Sequence, residues 1–197
     1  MIKCNAKVCG IVTYPAQQKT NSEGKPFVAF TLEVTVPSTK GDPATLHVSV
    51  AADSADMSAL SKGRRVEVQG LLKIKGAPNK GLYFNMSAES ITLDPVSEAG
   101  ISGTMEFKGT LCKDIATPTD KKGNPYLRFS AYSTDKVGEE FYSVFVRFVR
   151  FSSEIESYIE PKGKIEAKGD LRVTAFNGHV DLQCKVDEMK RWEKLPF

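Results

Sequence analysis

The chain repeats itself. Gly10, Gly24, Pro26, Phe30, Glu67, Gly70 and Leu72 return 99 residues later as Gly109, Gly123, Pro125, Phe129, Glu166, Gly169 and Leu171. The Lys62-Gly63 pair returns as Lys162-Gly163, one residue out of step, so the intervening segments are expected to differ slightly in length. A solenoid unit usually spans ~20–50 residues. A period near one hundred fits instead a complete small domain duplicated in tandem. The halves are expected at residues 1–94 and 104–197, joined by 95–103, where Asp94-Pro95-Val96-Ser97-Glu98 and Ala99-Gly100-Ile101-Ser102-Gly103 have linker composition.

Composition narrows the class. No apolar run approaches the ~18 residues of a membrane span, and Met1-Ile2-Lys3-Cys4-Asn5 does not begin a signal peptide. A cytoplasmic protein with no membrane partner is expected. Cys4, Cys9, Cys112 and Cys184 show no C-x-x-C spacing and are unrelated by the repeat, and His47 and His179 are the two histidines. Free thiols are therefore expected, with no metal site and no disulfide framework. The net charge of +3 does not by itself imply nucleic acid, so the placement of cations matters more than their total.

Both halves read as β-rich. Ala6 to Val12 forms a strand expected to end near Tyr14-Pro15, followed by a polar loop from Gln17 to Pro26. Val28, Phe30, Leu32 and Val34 alternate with Ala29, Thr31, Glu33 and Thr35, the period of a half-buried strand, and Leu46, Val48 and Val50 repeat that pattern. Asp53 to Leu60 is expected to form a short helix closed near Gly63, matched in the second half by a capping box over Ser153-Glu154-Ile155-Glu156. Val66 to Ile74 and Leu82 to Ala88 make a final hairpin around Pro78-Asn79-Lys80-Gly81, and Asn177-Gly178 marks its counterpart. Five strands with one short helix between the third and fourth predict an all-β chain of two tandem OB-folds. An SH3-like barrel is the alternative.

Particular segments carry a resemblance. Gly24-Lys25-Pro26-Phe27-Val28-Ala29-Phe30-Thr31-Leu32-Glu33-Val34 and Lys62-Gly63-Arg64-Arg65-Val66-Glu67-Val68-Gln69-Gly70-Leu71-Leu72 resemble two segments of the bacterial and phage-type single-stranded DNA-binding protein family. Gly123 to Ser130 and Lys162 to Leu171 keep a more diverged form. The resemblance is to the variety with two OB-folds per chain, and it implies a homodimer bringing four such domains together. It implies coating and protection of single-stranded DNA, without sequence preference, in replication, recombination and repair. The family ends in an acidic tail with an apolar-Pro-Phe tip. This sequence keeps Leu195-Pro196-Phe197 but lacks the long tail, so these residues are either a docking tip for replication or repair proteins or an apolar terminus against the domain.

Binding single strands without reading sequence needs cations along the backbone path and flat rings for the bases. An OB-fold presents its second and third strands and its 1–2 and 4–5 loops. If Leu127 and Phe129 face the core, Tyr126, Arg128 and Tyr132 face outward; on the next strand Phe141, Phe145 and Arg147 lie opposite Tyr142, Val144, Val146 and Phe148. Phe141 and Phe145 are expected to stack bases or to pack against a second copy. The first half offers Phe27 and His47 on its corresponding face and lacks the third-strand aromatics that the family resemblance leads one to expect. Lys73, Lys75, Lys80 and Tyr83 flank its last hairpin, matched by Arg172, Phe176 and His179. Lys62, Arg64 and Arg65 form either a further cationic cluster or a solvated turn.

No phosphate-cradling glycine loop, nucleophile elbow or dinucleotide fingerprint is present, so a non-enzymatic protein without a cofactor is expected. The competing function is an OB-fold module for protein–protein contacts in a replication or mobile-element complex.

Overall fold

A computed structural model describes residues 2–78, 81–152 and 154–193. The strands are β1 (Ile2–Thr20), β2 (Pro26–Val36), β3 (Ser38–Lys40), β4 (Ala44–Ala52), β5 (Arg65–Gly76), β6 (Leu82–Leu93), β7 (Gly100–Leu111), β8 (Leu127–Val137), β9 (Glu140–Arg150), β10 (Lys164–Phe176) and β11 (His179–Arg191). No α-helix occurs among the described residues, hence none long and apolar enough to cross a membrane.

Pairing closes two barrels. In the first, β1 pairs with β2, β2 with β4, β4 in parallel with β6, β6 with β5, and β5 with β1 again. In the second, β7, β8, β9, β11 and β10 follow the same circuit, with β9 and β11 parallel. Each barrel is an OB-fold. The alternating residues point inward as their period requires: Leu32, Val34, Val48, Val66, Val68, Leu72 and Ile74 are fully buried in the first. In the second, Phe148 stacks on Phe129 and meets the Phe107 ring edge-on, both at 4.9 Å between centroids.

The repeated glycines have a steric reason. A Cβ on Gly10 would lie 2.4 Å from the Glu33 carbonyl oxygen, and one on Gly109 would lie 2.3 Å from that of Tyr132, its repeat counterpart. Only glycine lets the first strand of each barrel pass so close to the second.

Two expectations are corrected. The first strand does not stop at Pro15. It continues to Thr20 through register shifts between Val12 and Tyr14 and between Tyr14 and Gln17, so Pro15, which has no N–H to donate, falls in an irregular stretch. Among the described residues the short helix is absent from both halves. In Asp53 to Leu60 the bonds from Ala59 N to Asp56 O and from Leu60 N to Met57 O, both 3.2 Å, reach back only three residues. Asp56 also draws Ser58 N and Oγ onto its own carboxylate, at 3.0 and 2.6 Å, a local bond that competes with helix. Leu60 then plugs the barrel end and the turn goes no further. In the second half Ser153 of the expected capping box lies outside the described residues, and the segment after it forms turns that end at buried Ile159.

The out-of-step Lys-Gly pair is resolved by hydrogen bonding. Gly63 N donates to Val12 O at 2.8 Å, and Lys162 N donates to Leu111 O at 3.1 Å, so Lys162, not Gly163, occupies the place of Gly63. Both have left-handed backbone, φ 87° and 69°.

The barrels are joined edge to edge. β1 and β7 pair antiparallel from Lys3–Glu106 to Cys9–Gly100, with Asn5 opposite Thr104. Those two residues are repeat equivalents, so a pseudo-two-fold axis passes between them, and the contact has the self-complementary form of a two-fold dimer interface. Two further contacts join the barrels, one at the end of each barrel's last hairpin. β3 of the first barrel runs parallel to the end of β10, pairing at Ala175–Ser38 and Phe176–Lys40. Gly76, at the β5–β6 hairpin, packs so closely on Tyr142 of β9 that a Cβ there would lie 2.8 Å away.

Candidate nucleic-acid interface

The outward face of β8 and β9 is built by alternation. Leu127, Phe129 and Ala131 on β8 and Val144, Val146 and Phe148 on β9 fill the core, which turns Arg128, Ser130 and Tyr132 outward with Phe141, Phe145 and Arg147. Phe141 is 70% exposed and Phe145 62%. Tyr132 and Phe145 are directly opposed across the two strands, their ring centroids 5.6 Å apart.

Cations interleave with these rings. Lys136, opposite Phe141 in the ladder, holds its Nζ 5.9 Å from that ring's centroid. The Arg147 guanidinium bonds the Asp181 carboxylate and stands 5.8 Å from the Phe176 ring, with Lys40 Nζ 5.9 Å from the same ring. A second cluster sits beyond the end of β9, where Tyr126 and Phe151 rings are 6.1 Å apart and Lys185 Nζ lies 6.0 Å from Phe151. At the opposite end Tyr142 donates its phenol proton to Glu140, and that bond holds the phenol above its ordinary pKa.

Tyr132, Phe145, Arg147 and Phe176 thus form one surface, with Phe141 further along β9 and Tyr126 in the Phe151 cluster. Arg172 lies in the same row as Arg147, two strands away, with Gln183 between them. In the first barrel Phe27 is half-buried opposite Lys19 at the hairpin end. His47 is exposed, but its opposite residue is Glu33 where the second barrel has Tyr132. Lys75 is paired with Tyr83, and Lys73 lies between Lys3 and Asn85. Lys80 and the Leu195-Pro196-Phe197 tip lie outside the described residues.

Sequence reading missed Phe151, Lys136, Lys185 and Lys40. Phe151 continues the odd-numbered outward series of β9 and was within reach of the same alternation. Lys185 comes from β11, whose parallel pairing with β9 at Arg147–Gln183 no local pattern announces. Lys40 comes from the other barrel.

No protein-family model and no curated protein matches the chain. Similar solved structures include a deletion mutant of the single-stranded DNA binding protein from Thermus aquaticus, at 16% identity and a TM-score of 0.49, covering 100% of this chain and 97% of that one. The wild-type Thermus aquaticus protein is also similar, at 16% identity and a TM-score of 0.47, covering 100% of this chain and 95% of that one. A small single-stranded DNA-binding protein from Streptomyces coelicolor is 25% identical with a TM-score of 0.36, covering 46% of this chain and 92% of that one.

Proposed function

We propose that this chain binds unpaired DNA without reading its sequence, chiefly on the second barrel. The observation that carries the reading is the outward row of Phe141, Phe145 and Tyr132 interleaved with Lys136 and Arg147, continuing to Phe176. Every base has a flat face, so rings accept any base at ~1–3 kcal/mol per stack, while cations beside them meet the phosphates. The first barrel contributes less, because Glu33 sets a carboxylate where the strand would pass.

The consequence for DNA is sequestration: the strand is held extended, kept from re-pairing and shielded from nucleases during replication, recombination or repair. A cytoplasmic homodimer with four barrels, docking partners through Leu195-Pro196-Phe197, belongs to the same proposal; within each chain the expected join at 95–103 shortens at its end, because Gly100 already opens β7. Fluorescence anisotropy with labelled oligo-dT at two salt concentrations tests it. Sub-micromolar binding that weakens with salt is the expected result. No binding at low salt overturns the reading and leaves the exposed rings as a protein-docking surface.

A further inference from the structure

The site described above does not end at the rim of the second barrel. Phe176 closes the β10–β11 hairpin, paired with His179 around Asn177-Gly178. This hairpin is fastened to the first barrel: Asn177 N donates to the Lys40 carbonyl at 3.0 Å, Ala175 N donates to the Pro37 carbonyl at 2.9 Å, and Ser38 Oγ donates to the Ala175 carbonyl at 3.2 Å. Backbone bonds of this kind fix where the Lys40 side chain starts, so its approach to Phe176 is set by the fold and not by a wandering loop. Arg147 reaches the same ring from the other side of the boundary, but its charge is offset by Asp181. Among the described residues Lys40 is therefore the cation of this cluster that no carboxylate offsets, and it adds to what Arg147 offers a phosphate.

Resting on the DNA-binding reading, we infer that a strand stacked on Tyr132 and Phe145 crosses from the second barrel to the first over Phe176 and Lys40, so that one chain carries one continuous asymmetric site. The repeat makes the asymmetry visible. Ala77 stands where Phe176 does, Ser49 where Arg147 does, and Tyr83 where Asp181 does, so the two-fold-related crossing at the β5–β6 hairpin lacks the Phe176–Arg147 pair and carries the exposed Tyr83 ring in place of the carboxylate.

Anisotropy of the full chain with oligo-dT of about four and about twenty nucleotides, the low end and just past the high end of the ~4–16 that one such barrel covers, tests the crossing. For Lys40→Ala the loss of affinity should be greater, by about threefold or more, for the longer oligomer, and its log–log salt slope should be shallower by ~0.7. Lys40→Arg should restore both. Equal losses at the two lengths with an unchanged salt slope, while Phe145→Ala still weakens binding, would overturn the crossing and leave the DNA-binding reading intact. An unmodified chain that binds neither oligomer would overturn both.

Discussion

Tyr132 and Phe145 oppose each other on neighbouring strands with ring centroids 5.6 Å apart, where the first barrel sets Glu33 opposite His47. One position of the duplicated fold thus holds two flat apolar groups in one copy and a carboxylate with an imidazole in the other.

The first prediction concerns that pair. Phe145 is mostly exposed, so Phe145→Ala should leave the melting temperature nearly unchanged. It should weaken oligo-dT binding by ~1–3 kcal/mol, about 5- to 150-fold. A large fall in melting temperature with unchanged affinity would assign Phe145 to packing instead.

The converse substitution is also informative. Glu33→Tyr with His47→Phe copies the second barrel's pair onto the first. We expect the doubly substituted chain to bind long oligo-dT more tightly than the unmodified one, as measured by anisotropy, because a repelling carboxylate is exchanged for a stacking ring.

Lys162 supplies a test of backbone strain. It holds a left-handed conformation with φ 69°, where its counterpart is glycine. Lys162→Gly should relieve the Cβ clash at some cost in unfolded-state entropy, stabilising the chain by about 0.5–1 kcal/mol in urea denaturation.

Gly109 tests the close strand crossing. A Cβ there would lie 2.3 Å from the Tyr132 carbonyl oxygen and 2.5 Å from the Phe107 ring. Gly109→Ala should destabilise by ~1–3 kcal/mol or more, as expected for overpacking against backbone that cannot yield, and it should also displace Tyr132 from Phe145.

The cysteines predict an alkaline limit. Burial pushes the thiols of Cys4 and Cys184 up to about 12 from the usual 9.0. The folded state therefore holds these protons more tightly than the unfolded state. Their contribution is fully present below pH 9.0 and is lost as pH rises toward about 12. Native protein at pH 8 should alkylate at Cys112, which is only partly buried, well before Cys4 or Cys184, with mass spectrometry as the readout.

What the sequence made legible was whatever depends on short-range periodicity. Alternation along Leu127–Tyr132 and Phe141–Phe148 placed the inward and outward side chains correctly, and Asn177-Gly178 marked a hairpin whose two turn residues both have positive φ. Illegible were features decided by tertiary contact. The Asp53–Leu60 segment has a capping residue and apolar spacing fit for a helix, but the demand that Leu60 close the barrel stops it after one turn. Lys40 and Phe176 lie 136 residues apart, and only the β3–β10 pairing unites them.

The ladder between β1 and β7 has a consequence of its own. Where two separate polypeptides meet by such an edge, dilution parts them and any change in sequence alters both partners at once. Here a tether keeps the two halves at high effective concentration however scarce the protein becomes. Each half is encoded separately, so equivalent positions can carry a ring in one and a carboxylate in the other: a permanent heterodimer written as a single gene product.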